Sequence, residues 1–514
     1  MLDRLRARLS RDRLLVAALA LAWLAALSPL ARARFLPWFD FPAHLVHIGI
    51  WHRLPDPSWH YQDFYRPSLH LIPYWGYWFP VHLLAYVLPI ELANKVYLSL
   101  YAAALPASVI VLGKRFGRSP WIGLLAFPLV WSWALSYGFI GYSMAWALAL
   151  CTLAWIDLCL DGLTAGRLAV LLALALATYF THFLPWLVMG ICAAPLLLLR
   201  LRPIGRSLPI AAALLSTAAL AAANLRRAAD ANLYGIAASG GVHLGMIEGR
   251  SELPMDAIRM IPKRVLMGMT GGGEGWALAG LMATAVLLLV TARRRGAGRF
   301  ARRDLLPIAW TGIALAGYLI VPFYLFRPVH WWNAGGRLVA PAVLFGLLAL
   351  RGPIEGRMRW LLAPAFACAI FFPIALGGRF AAFDGRLAGL VRLMERVPRG
   401  ASTLTVIVGD ATDPALPPEL QPWRAVHSYP QFLRGGFDPH QYRNGFPFRL
   451  IEGRELPAPS WLDPEVVKPE VAARYDFVLT RGEHEDGEVF GAIAPRPSPV
   501  ARDGMFRLYA TRRP

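Results

Sequence analysis

Charge is scarce in this sequence. Only 16% of its 514 residues are Asp, Glu, Lys or Arg, 57% are hydrophobic, and the mean hydropathy is +0.45. A water-soluble chain of this length has nowhere to bury so much apolar surface, so the deficit points to a polytopic membrane protein. Acidic residues are the scarcer kind, 32 against 52 basic ones, for a net charge of +20. In a soluble chain that excess would suggest nucleic acid. Here the arginines cluster in short loops between apolar runs, and no RNA- or DNA-binding motif accompanies them, so no nucleic-acid partner is expected. Cysteine is nearly absent. Cys151, Cys159, Cys192 and Cys368 all lie inside apolar runs without zinc-ligand spacing, which argues against a disulfide framework and a structural metal. Internal repeats, GxxxxGK[ST], HExxH and GxSxG are missing too. Gly271, Gly272 and Gly273 in "MTGGGEGW" lack the strand–helix context of a nucleotide loop and are expected to form a turn.

What is present is a series of apolar segments. A span needs about 20 mostly apolar residues. Candidates are 14–30, 91–113, 119–136, 142–160, 166–181, 183–200, 207–224, 275–292, 305–321, 337–351 and 359–377, about eleven in all. The first resembles a signal peptide but is long for one, and is expected to be a retained membrane helix. The basic N-terminus "MLDRLRARLSRDR" belongs on the inside. Alternating from there puts "GKRFGRS", "DGLTAGR", "LRLRPIG", "TARRRGAGRFARRD" and "RGPIEGRMR" inside as well, and each carries Arg or Lys. Counting 74–90, "YWGYWFPVHLLAYVLPI", as a span would invert every later loop. Short and broken by Pro80 and Pro89, it is placed in the interface or as a re-entrant piece. Residues 1–377 then form a transmembrane domain with outer loops 31–90 and 225–274. From 378 to 514 the chain is rich in Pro, Gly and charge, and "STLTVIV", "YDFVLT" and "MFRLYAT" have strand character. The expected fold is mainly α, a membrane helical bundle with interfacial helices in its first outer loop and a small external C-terminal α/β domain.

The informative chemistry lies at the outer face. In "RFLPWFDFPAHLVHIGIWHR", Asp40 is a favoured N-cap and Pro42 suits a first turn, which predicts a short surface helix over 41–53. Asp40, His44 and His47 fall at i, i+4 and i+7 on one face, with Phe41, Leu45 and Ile48 on another. Helix capping alone would account for Asp40, and headgroup contact for the histidines. Ionisable residues at membrane depth are costly, however, and are functional candidates by default. His182 falls where the fifth span exits. Arg327, His330 and Arg337 in "FRPVHWWNAGGRLVAP" sit between the ninth and tenth spans, and Lys263 and Arg264 lie in "DAIRMIPKRVLM" of the second outer loop. Cations on the outer side run against the positive-inside tendency and suit a phosphate or pyrophosphate at the lipid surface. Their structural alternatives are snorkelling and loop salt bridges. A carboxylate as base for an acceptor hydroxyl, with cations for the departing lipid phosphate, is what a polyprenyl-phosphate-dependent glycosyl transfer needs.

An acidic residue directly after the first span, an interfacial helix following it, a second interfacial piece at 61–90, the paired short spans around "FPLVWSWALSYGFIGYSMAW" and "YFTHFLPW", and an external tail together resemble the GT-C integral-membrane glycosyltransferases. The resemblance is to the bacterial multi-span enzymes related to oligosaccharyltransferases, protein mannosyltransferases and aminoarabinose transferases. It covers about 30–380 and extends loosely to the tail. It implies Asp40 as catalytic base, Arg337 as a lipid-phosphate ligand and, more weakly, His182. It also implies a polyprenyl-phosphate sugar donor, a lipid, glycan or protein acceptor, and a multi-pass inner-membrane enzyme with a cytoplasmic N-terminus. Many members carry a paired acidic motif, whereas here Phe41 and Pro42 follow Asp40, so a divalent metal has no paired-acid support. Two other functions fit the spans and the outer cations: a transporter or flippase of a lipid-linked intermediate, and a non-catalytic assembly protein of GT-C-like architecture. Transporters usually place charge at the midplane and show repeats. This sequence has little of the first and none of the second.

Overall fold

The computed structural model describes residues 12–201, 203–230, 248–250, 253–294, 301–327, 333–351, 354–441, 447–459, 467–482, 489–491 and 498–511. The chain divides into two units. One comprises Met1–Ala31, Leu71–Pro80 and Lys95–Gly377, and the other Arg32–His70, Val81–Asn94 and Gly378–Pro514.

The first unit is helical. Every apolar segment picked out above carries helix, and among the described residues six helices are long and apolar enough to cross a membrane: Arg13–Arg32, Ile90–Arg115, Ile140–Asp161, Ile204–Arg227, Gly273–Arg294 and Gly356–Met394. Shorter apolar helices are Pro120–Val130, Ala165–Thr181, Phe183–Leu199 and Gly336–Ala349, and a further helix covers Leu305–Ile320. Asp12 caps the first helix through Leu15 N–H (3.2 Å) and also takes Arg359 and the Trp121 indole, at 3.0 and 3.2 Å. The segment 119–136, expected as one span, is interrupted. Helix Gly123–Val130 stops at Trp131, and a separate helix, Trp133–Ser136, follows. The freed backbone pairs with the second outer loop: Met267 N–H donates to Trp131 O at 2.7 Å, and Ser132 bridges Leu266. Irregular backbone at membrane depth is tolerated only where protein satisfies it, and this pairing does so. Helix Trp75–Leu84, with Pro80 inside it, is about 15 Å long, half of a bilayer core of about 30 Å.

One end of this unit is an ionic clasp. Asp157, fully buried, takes Arg115 at 2.6 Å, Arg200 at 3.0 Å and Arg303. Asp161 takes Arg200 at 2.7 Å and Arg115, and Arg206 donates to its carbonyl. Asp304 pairs with Arg118 and Arg351 at 3.0 and 3.3 Å. These residues stand in or beside the five basic loops that the charge pattern assigns to the inner side. Lone basic loops would need only water, and the scarce acids are spent here to hold them together.

In the second unit, strands Thr403–Ile407 and Phe477–Arg481 run parallel. Phe506–Ala510 joins antiparallel to the latter, and Pro499–Asp503 adds an edge. Three of these strands coincide with the segments of strand character, and the edge strand was not legible. Leu404, Val406, Val478 and Tyr509 face a core closed by Phe490 and Tyr475. Residues 32–70 and 81–90 of the first outer loop belong to this unit, and 71–80 to the first. Strand Tyr65–Pro67 of that loop pairs with Phe448–Leu450.

Candidate functional site

Two close backbone approaches build the centre of the first unit. Gly76 lies so close to Thr181 that a Cβ would stand 2.0 Å from its Oγ1, and a Cβ on Gly141 would reach Thr181 O at 3.0 Å. Only glycine lets helix Trp75–Leu84 and the start of Ile140–Asp161 meet the end of Ala165–Thr181. Tyr97 secures the contact with a 2.8 Å hydrogen bond to Gly76 O. His182 follows directly. It is buried between Tyr74 and Tyr142, edge-on to both at 5.4 and 5.3 Å. Tyr74 holds a left-handed φ of 85°, rare for a bulky residue and of the kind that gathers at functional sites. Leu184 N–H donates to His182 Nδ1 at 3.1 Å, so His182 caps helix Phe183–Leu199. That bond uses the Nδ1 lone pair and leaves the ring proton on Nε2. Burial first, and the charge of Arg337 second, hold the imidazole well below its ordinary pKa and therefore neutral.

Arg337 is buried too. Its guanidinium lies 3.6 Å from the Phe139 ring centroid and 5.9 Å from that of Tyr142, whose hydroxyl donates to the Arg337 carbonyl. The turn bearing it passes close to its neighbours through glycines. A Cβ on Gly336 would sit 3.0 Å from the Trp133 ring, and one on Gly335 2.5 Å from Val321 O. Arg264 stands over Phe323 at 4.8 Å and over Trp133 and Tyr318 at 5.6 Å each, donating to Tyr318 Oη at 2.8 Å. Two buried guanidiniums and a neutral imidazole thus gather among aromatic rings. Tyr142 to Asp157 is about 22 Å along one helix, so this centre and the ionic clasp occupy opposite ends of the unit.

The sequence-derived candidates fare unequally. His182 and Arg337 come together, with Arg264 linked to their turn through Trp133. Lys263, next to Arg264, is exposed. Arg327 lies in strand Tyr324–Arg327, paired with Glu248–Arg250, and its side chain falls outside the described residues, as does the whole of His330. In the second unit the predicted helix is present as Phe41–Arg53, with Asp40 at the N-cap position. Asp40 makes no side-chain cap hydrogen bond, so capping does not account for it. His44 is half-buried. His47 is buried, donating Nδ1–H to Ala43 O at 2.7 Å and packing on Phe448 at 5.1 Å. The face expected to meet lipid or protein meets protein. Phe41, Leu45 and Ile48 are buried, and Gly49 abuts Phe432, whose carbonyl takes Arg53 at 2.7 Å. The loop ahead of Asp40 is pinned by Asp384, which accepts Arg34 and Phe35 N–H at 2.8 and 2.9 Å. Sequence reasoning missed Tyr74, Phe139, Tyr142 and Asn333. The glycines of "WWNAGGR" were the one local hint that backbone packs tightly there. Among the described residues no group of three or more His, Cys, Asp or Glu is arranged to hold a metal.

No family model and no curated protein matches this sequence. Among solved structures, the chain is similar to ArnT from Cupriavidus metallidurans in the apo state, with a TM-score of 0.54 and 12% identity over 98% of each chain. Arabinofuranosyltransferase AftD from mycobacteria aligns with a TM-score of 0.46 and 13% identity over 97% of this chain and 41% of that one. The ArnT likeness shows the fold: this is a multi-pass membrane protein built on the GT-C architecture.

Proposed function

We propose that this protein is a membrane glycosyltransferase that moves a sugar from a polyprenyl-phosphate donor to an acceptor hydroxyl on the extracytoplasmic face. Arg337 carries the reading. A guanidinium buried among rings, beside a neutral histidine and at the opposite end from the basic loops, suits a lipid phosphate. The GT-C fold supports the same class, since ArnT is an aminoarabinose transferase. In the reaction, the Asp40 carboxylate takes the proton of the acceptor hydroxyl, whose oxygen attacks the anomeric carbon. The bond from that carbon to the phosphate oxygen breaks, its electron pair leaves with the polyprenyl phosphate, and the anomeric configuration inverts. Arg337, with Nε2–H of His182 as a further donor, stabilises the charge growing on the phosphate. His44, Lys263, Arg264, Arg327 and His330 are proposed as supporting contacts to donor or headgroup. The N-terminus is placed in the cytoplasm and residues 378–514 outside the inner membrane.

The test is transfer from a radiolabelled polyprenyl-phosphate sugar in membranes. Asp40→Asn should lower it by about 10²–10⁴-fold in folded protein, and unchanged transfer would remove Asp40 as base. Movement of the lipid across vesicles by wild type without any transfer would instead establish a flippase.

A further inference from the structure

We propose that Asn333 is the residue that reads the donor's sugar, an assignment that rests on the lipid-phosphate reading of Arg337. Asn333 is fully buried, yet among the described residues neither its Oδ1 nor its Nδ2 has a hydrogen-bond partner. Buried side-chain amides are nearly always satisfied, and one with both ends open calls for a specific explanation. Its backbone is left-handed, with φ 55°, a conformation asparagine tolerates better than most residues. The turn it opens is anchored by Ala334 N–H to Phe323 O at 3.0 Å and Gly335 N–H to Pro322 O at 3.3 Å, and reaches Arg337 four residues on. The open amide therefore stands at the start of the same short turn that presents the phosphate-binding guanidinium.

The chemistry of the two open atoms selects the ligand. A phosphate offers acceptors only and would satisfy Nδ2 while leaving Oδ1 bare. A polyprenyl tail satisfies neither. A hydroxyl both donates and accepts, so two neighbouring hydroxyls of a sugar can engage Oδ1 and Nδ2 together. The group attached to the lipid phosphate in the proposed donor is such a sugar. A site built to bond hydroxyls also penalises ligands that lack them, because its own polar atoms then stay unpaired.

Full-length protein in detergent is titrated by thermal shift with undecaprenyl phosphate alone and with undecaprenyl-phosphoryl mannose, glucose, arabinose and aminoarabinose. Wild type should bind at least one sugar-bearing lipid about tenfold more tightly than the bare phosphate, the worth of one net hydrogen bond. Asn333→Gly, which keeps the backbone conformation, should lose that preference while binding bare lipid phosphate as wild type does. Asn333→Asp, which keeps the shape but not the donor, should lose it also and covers the case in which the glycine variant is unstable. Arg337→Ala should weaken every lipid. Folded Asn333 variants that keep the sugar preference overturn the assignment and leave the phosphate reading standing, as does equal wild-type affinity for bare and sugar-bearing lipids. Wild type that binds no polyprenyl phosphate overturns the donor reading itself.

Discussion

The guanidinium of Arg337 lies 3.6 Å from the centroid of the Phe139 ring, and the carbonyl of the same arginine accepts the Tyr142 hydroxyl. Side chain and backbone are thus held by the start of one helix. A planar guanidinium stacks on a ring and forks two hydrogen bonds to phosphate, whereas an ammonium does neither. Arg337→Lys should therefore lower transfer by roughly 10²-fold, within the range for loss of one preorganised charge-stabilising donor, with little change in thermal midpoint. Phe139→Leu should cost less, through misplacement alone. Single-turnover rates with a labelled donor check both.

The Asp40 side chain makes no cap bond to helix Phe41–Arg53, so replacing it should leave the start of that helix intact. A capping aspartate costs about 1 kcal/mol when removed. Asp40→Asn is expected to stay well under that while transfer falls by about 10²–10⁴, the usual contribution of a positioned base. A thermal midpoint that drops as steeply as activity would mark Asp40 as structural.

His47 makes stability pH-dependent. Burial lowers its pKa to about 4 from 6.5. Between those values the unfolded chain takes up a proton that the folded one refuses, so stability falls as pH drops from 6.5 toward 4 and levels below. The full effect is about 3 kcal/mol by linkage. His47→Gln, which can still donate to Ala43 O, should flatten the pH dependence of the thermal midpoint over that window. An unchanged slope would assign the acid sensitivity to other groups.

Asp157 is fully buried against Arg115, Arg200 and Arg303. Removing one partner of a buried ion pair typically costs about 3–5 kcal/mol. The arginines here are partly exposed, so Asp157→Ala is expected at or below the lower end. The loss should appear as a lowered thermal midpoint in detergent, with the wild-type preference among lipids retained in surviving protein.

Sidedness is checked by cysteine labelling. In intact cells an impermeant maleimide should reach Lys263→Cys but not Arg206→Cys, which should label only after permeabilisation. The reverse pattern would place the Arg337 centre in the cytoplasm.

The sequence by itself determined the helices and their loop chemistry. An apolar run about 20 residues long has one stable conformation in lipid, where every backbone group must be satisfied within the segment, and alternating basic loops follow from insertion. It also determined helix Phe41–Arg53, because Asp40 and Pro42 mark its start locally, and three strands of the C-terminal sheet. Tertiary structure decided the rest. The break at Trp131 exists because residues 265–267 supply its hydrogen bonds. The clasp exists because Asp157 meets arginines from three distant loops. Asn333 became a candidate only when its burial and open amide were visible. Local propensity reaches a few residues along the chain, and these features depend on partners tens to hundreds of residues away.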